Sequence, residues 1–502
     1  MQSKNNVNLK NLLIIISITF LIFARYNGNY HTDYKYIWLF LDGGLVNDIY
    51  ENNSILLNSS IIFHLFDFFN LNLDNDIYGF IIHLIISIFA FIYLFKIVKK
   101  IIPNISNTEI LFILFCLSSL DNLFLNTVKS GWIVLHTSVP SHFGLCFFFY
   151  YFWNVINKNK YATSILTVIF MLISPRSAWF PALCAFCYFC YPKFKIKNII
   201  YFLPSILLIL FYLYFFYTFE SFETKKLLYE RALYKEHEEI AFHMQNKYFI
   251  ILTSISFLIF FYFLKLLNND FKYFFKIILI CSTSIFIFGY IYGKYGQFIY
   301  PDPKIISISP VRAFYVYQLF FIIAYFALLN HKSKDSLTRY SFYLLPFLFC
   351  LGNKGKILAL AIIIGLLVYR LNVVKKTLKL IKFDKSYFFI LFIFLISINS
   401  AKNRFHNVDF YTFDRISHWS TQMGNKNNEF KDFFLNLRSC NDFLIFDNLR
   451  DIPAGNNATR ANFFANKSKY FSDTNVNVAF NKKLYNEHYK RQSIIYKIKN
   501  NK

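Results

Sequence analysis

Acidic residues are scarce in this chain. Its 502 residues include 28 Asp and Glu against 53 Lys and Arg, a formal net charge of +25. Charges of both signs make up only 16% of the sequence, where a soluble domain carries roughly 25%. Glycine and proline are sparse as well, at 14 and 11. Such a chain is not disordered, not collagen-like and not an ordinary cytosolic enzyme. Familiar signatures are missing too: the sequence has no Walker A loop, no GxGxxG after a strand, no HExxH, no GxSxG and no zinc-ligand spacing. Cysteine supplies no scaffold. Seven of the eight Cys lie in or beside apolar segments, and Cys440 alone stands in the polar tail. Cys184, Cys187 and Cys190 recur at i, i+3 and i+6 without a His or acid beside them. They read as small buried residues rather than metal ligands.

What the chain has in abundance is apolar and aromatic. It is 56% hydrophobic and contains 66 Phe and 37 Tyr. Phe, Tyr, Ile, Asn and Lys together are the signature of AT-rich coding. The apolar residues fall in long runs, and a helix needs about 20 of them to cross the hydrocarbon core. Candidate spans lie near 11–25, 79–97, 108–125, 142–156, 162–175, 177–191, 198–217, 248–266, 275–292, 313–330, 339–352, 357–371 and 386–400. The reading is an α-helical polytopic membrane protein of about thirteen spans. Residues 1–400 form its transmembrane domain. Short neighbours such as 162–175 and 177–191 are candidates for half-helices or a tight hairpin. Arg25, Tyr26 and Asn27 follow the first span with no small-x-small cleavage site, so that span is expected to remain as an anchor.

The basic charge is placed by topology. Lys4 and Lys10 precede the first span, and Lys96, Lys99 and Lys100 follow the second. Every second loop continues in this way, through Lys158 and Lys160, Lys193 to Lys197, Lys332 to Arg339, and Arg370 to Lys385. By the positive-inside rule these loops are cytoplasmic, with the N-terminus on the same side and the C-terminus outside. This accounts for the charge without a nucleic-acid partner. The tail, 401–502, reads as a small extracytoplasmic α/β unit. It has an amphipathic stretch at 427–438, a short apolar strand at 442–447 and a basic terminal helix.

The candidate chemistry sits in the other loops. The first outer loop, 26–78, is acidic and contains Asp33 and Asp48. A carboxylate about eight residues past the first span would lie near the membrane surface. There it would be placed to take a proton from a hydroxyl. Arg312, in Ser309-Pro310-Val311-Arg312, opens a late span. A guanidinium at that depth needs a partner, and a phosphate fits its fork. Arg176, in Ser174-Pro175-Arg176, stands between two short spans on the same side. Lys354 and Lys356 form an outward basic turn, and His136 and His142 flank Pro140. Residues 218–246 mix Glu, Lys and Arg like a surface helix.

This layout resembles the GT-C superfamily of integral-membrane glycosyltransferases, and within it a group of bacterial GT-C-like proteins. The stretches that carry the likeness are Asn47-Asp48-Ile49-Tyr50, Ile173-Ser174-Pro175-Arg176, Ser309-Pro310-Val311-Arg312 and, in the tail, Phe443-Leu444-Ile445-Phe446 with Trp419 and Arg460. The resemblance implies a cell-membrane enzyme that moves a sugar from a polyprenyl-phosphate-type donor to a glycan, lipid or protein acceptor on the extracytoplasmic face. Asp33 or Asp48 would be the catalytic base; Lys35, rather than a second acid, stands two residues after Asp33. Arg312 and Arg176 would hold the donor phosphate. No cofactor is implied, and a divalent cation stays open. Two other classes fit the topology. One is a cell-envelope polysaccharide polymerase or ligase, and the other is a transporter or flippase for lipid-linked saccharides.

Overall fold

The computed structural model describes residues 2–25, 76–119, 140–190, 196–216, 221–230, 240–267, 269–302, 310–332, 336–350, 352–369 and 386–405, with a few isolated positions besides. The first outer loop, with Asp33 and Asp48, and the tail beyond Phe405 lie outside them. Among the described residues the chain is helical and contains no strand. The helices are α1 (Gln2–Arg25), α2 (Asp76–Ile101), α3 (Asn107–Ser119), α4 (Pro140–Ile156), α5 (Lys160–Ile173), α6 (Pro175–Cys190), α7 (Ile196–Phe216), α8 (Phe222–Glu230) and α9 (Ile240–His243). Then follow α10 (Lys247–Leu266), α11 (Asn269–Ile291), α12 (Arg312–Lys332), α13 (Ser336–Cys350), α14 (Gly352–Tyr369) and α15 (Ser386–Phe405). Each of the thirteen apolar segments picked out above overlaps one of these helices.

This is an α-helical membrane protein. Among the described residues, three stretches are both long and apolar enough to cross a bilayer: Lys247–Leu266, Phe271–Ile299 and Ala313–His331. Seven further apolar helices are shorter. Of the three, α12 is central, with 67% of its span buried, whereas α10 buries 28% and lies at the flank. Ile251, Leu258 and Tyr262 of α10 are exposed, as residues that face lipid would be.

Antiparallel hairpins build the bundle, and polar contacts fix which ends meet. Lys10 of α1 lies over the Tyr387 ring of α15 at 4.6 Å. Thr108 of α3 donates to Asn11 Oδ1 at 2.7 Å. Lys99 at the end of α2 donates to Asn107 at 3.0 Å. Lys160 Nζ donates to Asn198 Oδ1 at 3.0 Å, and Asn198 Nδ2 donates to the Phe189 carbonyl at 2.7 Å. That last pair brings the end of α6 back to the start of α5, so the two short helices form a hairpin around the single extended residue Ser174. These contacts define one end of the molecule, the Lys10 end. Phe249 of α10 meets Phe314 of α12 at 5.8 Å, and Phe286 of α11 meets Phe314 at 6.1 Å. They mark the opposite end, named here for Asp302.

A capping box secures the Lys10 end. In Ser106-Asn107-Thr108-Glu109, the Ser106 Oγ accepts from the Glu109 amide at 3.2 Å, and Glu109 Oε2 accepts from the Ser106 amide at 3.1 Å. The second carboxylate oxygen, Oε1, takes Arg339 Nη1 at 2.8 Å and so ties α3 to α13 across 230 residues of sequence.

The interior is stitched by aromatic rings. Phe320 of α12 is the hub: it meets Phe152 of α4 at 5.0 Å and Phe274 of α11 at 5.1 Å, both edge to face. Nearby, Tyr317 packs its ring on Phe257 at 4.8 Å and donates its hydroxyl to Ser256 Oγ at 3.1 Å. Tyr151 and Thr167 share a buried hydrogen bond of 2.9 Å between α4 and α5. Cys116, Cys184, Cys190 and Cys281 are buried as free thiols, with Cys187 half-buried.

Close backbone approach occurs where α9 rests on α11. A Cβ on Gly289 would lie 2.1 Å from Ile240 Cγ2, and one on Gly293 would lie 2.9 Å from the Ala241 Cα. At Gly365 a Cβ would meet nothing within 4 Å.

Two measurements test these contacts. Gly293→Ala is expected to lower the apparent melting temperature in detergent, since overpacking costs about 1–3 kcal/mol. Gly365→Ala is expected to be neutral or gain up to about 1 kcal/mol. Equal melting of Gly293→Ala and wild type would refute the docking of α9. Glu109→Gln keeps a side chain that can cap but removes the charge, and strands Arg339. The expected loss is about 3 kcal/mol, with part regained when Arg339→Met is added; a double variant no better than Glu109→Gln would deny the pair its role.

Candidate functional site

The Asp302 end is where the helices bring unusual charges together. Beyond Ile291 α11 loosens into a π-helical stretch, Tyr292–Gly296, followed by one α-turn, Gln297–Ile299. Insertions of this kind are frequent at functional sites. Here the wide turn is closed by Gln297, whose amide donates to the Gly293 carbonyl. It leaves Tyr292 where its hydroxyl donates to the Tyr300 carbonyl at 3.2 Å and accepts from the Asp302 amide at 3.2 Å. The chain leaving the membrane is thereby pinned to the helix it has just left.

Across from it lies α8. Ser221 begins this helix, with its Oγ accepting from the Thr224 amide at 3.3 Å. One residue on, Lys225 reaches the Asp302 carboxylate at 3.6 Å, with both side chains only 9% exposed. Lys225 also contacts the Tyr300 hydroxyl and lies over that ring at 4.6 Å. Tyr229 and Ala241 close the apolar side of this cap against Tyr292. Buried charges persist only when paired and hydrogen-bonded. Lys225 and Asp302 meet that condition together with Tyr292 and Tyr300.

Five helices begin at the same end: α4, α6, α10, α12 and α14. None has an acid in its first turn. Their first turns contain instead His142, Arg176, Lys247, Arg312 and Lys354, with Lys356 just beyond. Cations at helix N-termini oppose the macrodipole, at about 0.3–1 kcal/mol each. α2, beginning at Asp76, and α8, with Glu223 in its first turn, are the exceptions. An anion is the natural counterpart of such helix starts, because helix N–H groups and a guanidinium fork both suit one.

Of the residues singled out from sequence, Arg312 is the first residue of α12 and Arg176 the second of α6. These two helices run parallel and pack against each other, so both positions share one end of the molecule. Asp33 and Asp48 lie outside the described residues. The stretch 218–246 does contain a helix, α8, but its Lys225 is buried rather than on the surface. The Lys225–Asp302 pair has no local sequence signal, since its members lie on separate elements. The glycines beneath α9 do have one: Gly289-x-x-x-Gly293 is the small-residue spacing that lets helices approach closely. Among the described residues, no group of three or more His, Cys, Asp or Glu could hold a metal ion.

No family model matches the chain, and no curated protein or solved structure matches it. The functional reading therefore rests on the residues themselves.

If the Lys225–Asp302 pair organises this end, Lys225→Met strands a buried carboxylate and lowers stability by about 3 kcal/mol. Lys225→Arg is expected to recover most of it. Melting of the two variants in detergent decides the matter, and indifference to Lys225→Met would remove the pair from the account.

Proposed function

We propose that the protein is a GT-C-like membrane glycosyltransferase acting at its Asp302 end. The observation that carries this reading is the gathering of basic first turns there, Arg176 and Arg312 among them, on helices with no acid to balance them. A lipid-linked phosphate supplies the missing anion, and a bilayer-embedded bundle is suited to a donor whose carrier chain stays in lipid. In this reading all thirteen apolar helices cross the membrane. The N-terminus is cytoplasmic, and residues 401–502 form an extracytoplasmic domain beside the active face.

The reaction is an inverting displacement. A carboxylate, Asp33 or Asp48, takes the proton of an acceptor hydroxyl. The acceptor oxygen bonds to the anomeric carbon as the bond from that carbon to the phosphate oxygen breaks. The phosphate leaves with the electron pair, and Arg312 with Arg176 offsets the charge that gathers on it. No step calls on a metal ion, and a divalent cation at the phosphate would be compatible with it. The acceptor is a hydroxyl of a glycan, lipid or protein.

The test is mass spectrometry of lipid-linked saccharides and envelope glycans from a deletion strain. The strain carries wild type, Asp33→Asn, Asp48→Asn, Arg312→Ala or an empty vector, at matched membrane expression. A sugar-sized mass is expected with wild type alone among wild type and vector. Arg312→Ala should reduce it about a hundredfold, and one of the two Asp variants should abolish it. Identical profiles for wild type and vector would overturn the transferase reading. Full transfer by both Asp variants would overturn the choice of base.

A further inference from the structure

The helix that leads to Asp302 runs on past the bilayer. Phe271–Ile299 is a continuous apolar stretch of 29 residues, about 43 Å long against a hydrocarbon core of about 30 Å. Its charges locate the excess. Lys276 and Lys294 bracket an uncharged stretch that makes about 27 Å of helix. Lys294 therefore stands where the hydrocarbon gives way to headgroups. Tyr295, Phe298 and Ile299 continue past it and are 54%, 75% and 73% exposed. Large apolar side chains gathered in that way mark an interaction surface.

Lys294 belongs to the π-helical stretch. Its ammonium lies over the Tyr295 ring at 5.1 Å, and Tyr290 is its other neighbour. Among the described residues no carboxylate pairs with it, and Asp302, the acid that follows the helix, is taken by Lys225. Towards the membrane interior, Ile280, Ile287 and Ile291 are exposed. Their spacings of seven and four residues put them on one face of the helix. The result is an apolar track with a cation and two tyrosines at its head. Tyrosine favours the headgroup level, where its hydroxyl can donate to a phosphate oxygen. The track suits acyl chains, and a cation with no acid beside it suits a negative headgroup. A water-soluble partner could not reach the track, which lies within the hydrocarbon.

We propose that this face of α11 and its extension binds an anionic phospholipid. The acyl chains lie along Ile280, Ile287 and Ile291, and the phosphate meets Lys294 beside Tyr290 and Tyr295. Phe298 and Ile299 flank the headgroup. The site requires only that α11 crosses the bilayer, and it stands or falls independently of the transferase reaction. A lipid held there fixes the depth at which the Tyr292–Asp302 corner rides.

The experiment uses the full-length protein, purified in detergent and stripped of lipid. Native mass spectrometry then follows retention of phosphatidylglycerol in competition with phosphatidylcholine of the same chains. Wild type is expected to prefer phosphatidylglycerol about fivefold at low salt, and to lose most of that preference at high salt. Lys294→Gln should remove the preference, and Lys294→Arg should keep it. Lys226→Gln, which removes an exposed charge of α8 at the same end, should also keep it. Tyr295→Leu should weaken retention of both lipids. These side chains are exposed, so the variants are expected to melt like wild type, and melting is measured alongside. Equal retention of the two lipids by wild type would overturn the proposal, as would an unchanged preference in Lys294→Gln. An equal loss in Lys226→Gln would overturn it too, by showing general attraction to the charged end. A protein dimer that Phe298→Ser dissolves would assign the face to a second copy of the chain and overturn the lipid.

Discussion

Inside a bilayer, apolar side chains gain little by exchanging lipid for protein, so helices must be held by shape and by polar contacts between them. The whole bundle depends on that constraint. Here shape is supplied by rings. Phe320 sits among Phe148 and Phe152 of α4 and Phe274 and Phe275 of α11, and its three edge-to-face pairs, with Phe152, Phe274 and Phe275, add a directed attraction to simple contact. The abundance of Phe and Tyr in this chain is therefore put to structural use. Polar pairs then set register: Tyr317 with Ser256, Tyr151 with Thr167, Arg339 with Glu109. Each involves an atom that lipid cannot satisfy.

The two ends of the bundle handle charge differently. At the Lys10 end an acid is spent on structure, since Glu109 both caps its own helix and anchors Arg339. At the Asp302 end Asp302 is again committed, to Lys225, while the starts of α6, α12 and α14 contain cations and no acid. Helix starts of that composition favour a bound anion. This asymmetry, more than any single residue, gives the phosphate-handling reading its physical basis.

Much of the architecture was legible in the sequence because lipid imposes a crude and local rule. The segment 248–266 appears as Lys247–Leu266, and 313–330 lies within Arg312–Lys332. The short pair 162–175 and 177–191 resolves into a hairpin about Ser174, a choice that needed Asn198 to reveal it. Long-range pairing was not legible. Lys225 looks like one charge among many in a mixed stretch, and only the fold brings it to Tyr300, 75 residues away. Two missed features did leave local traces, the Ser106-x-x-Glu109 capping box and the Gly289–Gly293 spacing. Of the candidate site, the positions of Arg176 and Arg312 at a common end follow from helix alternation alone. The acids assigned to catalysis, Asp33 and Asp48, lie outside the described residues.

The hairpin of α5 and α6 has a consequence for the membrane around it. Its arms are 14 and 16 residues long, about 21 and 24 Å, against a hydrocarbon core of about 30 Å. Tyr161, Ile165 and Ile169 form an exposed stripe along α5. Where these arms span, the lipid beside them must compress to meet them. A dimple in the bilayer would then form on one flank of the protein. There the distance between leaflets, and so the depth at which a headgroup rides, differs from that of the surrounding membrane.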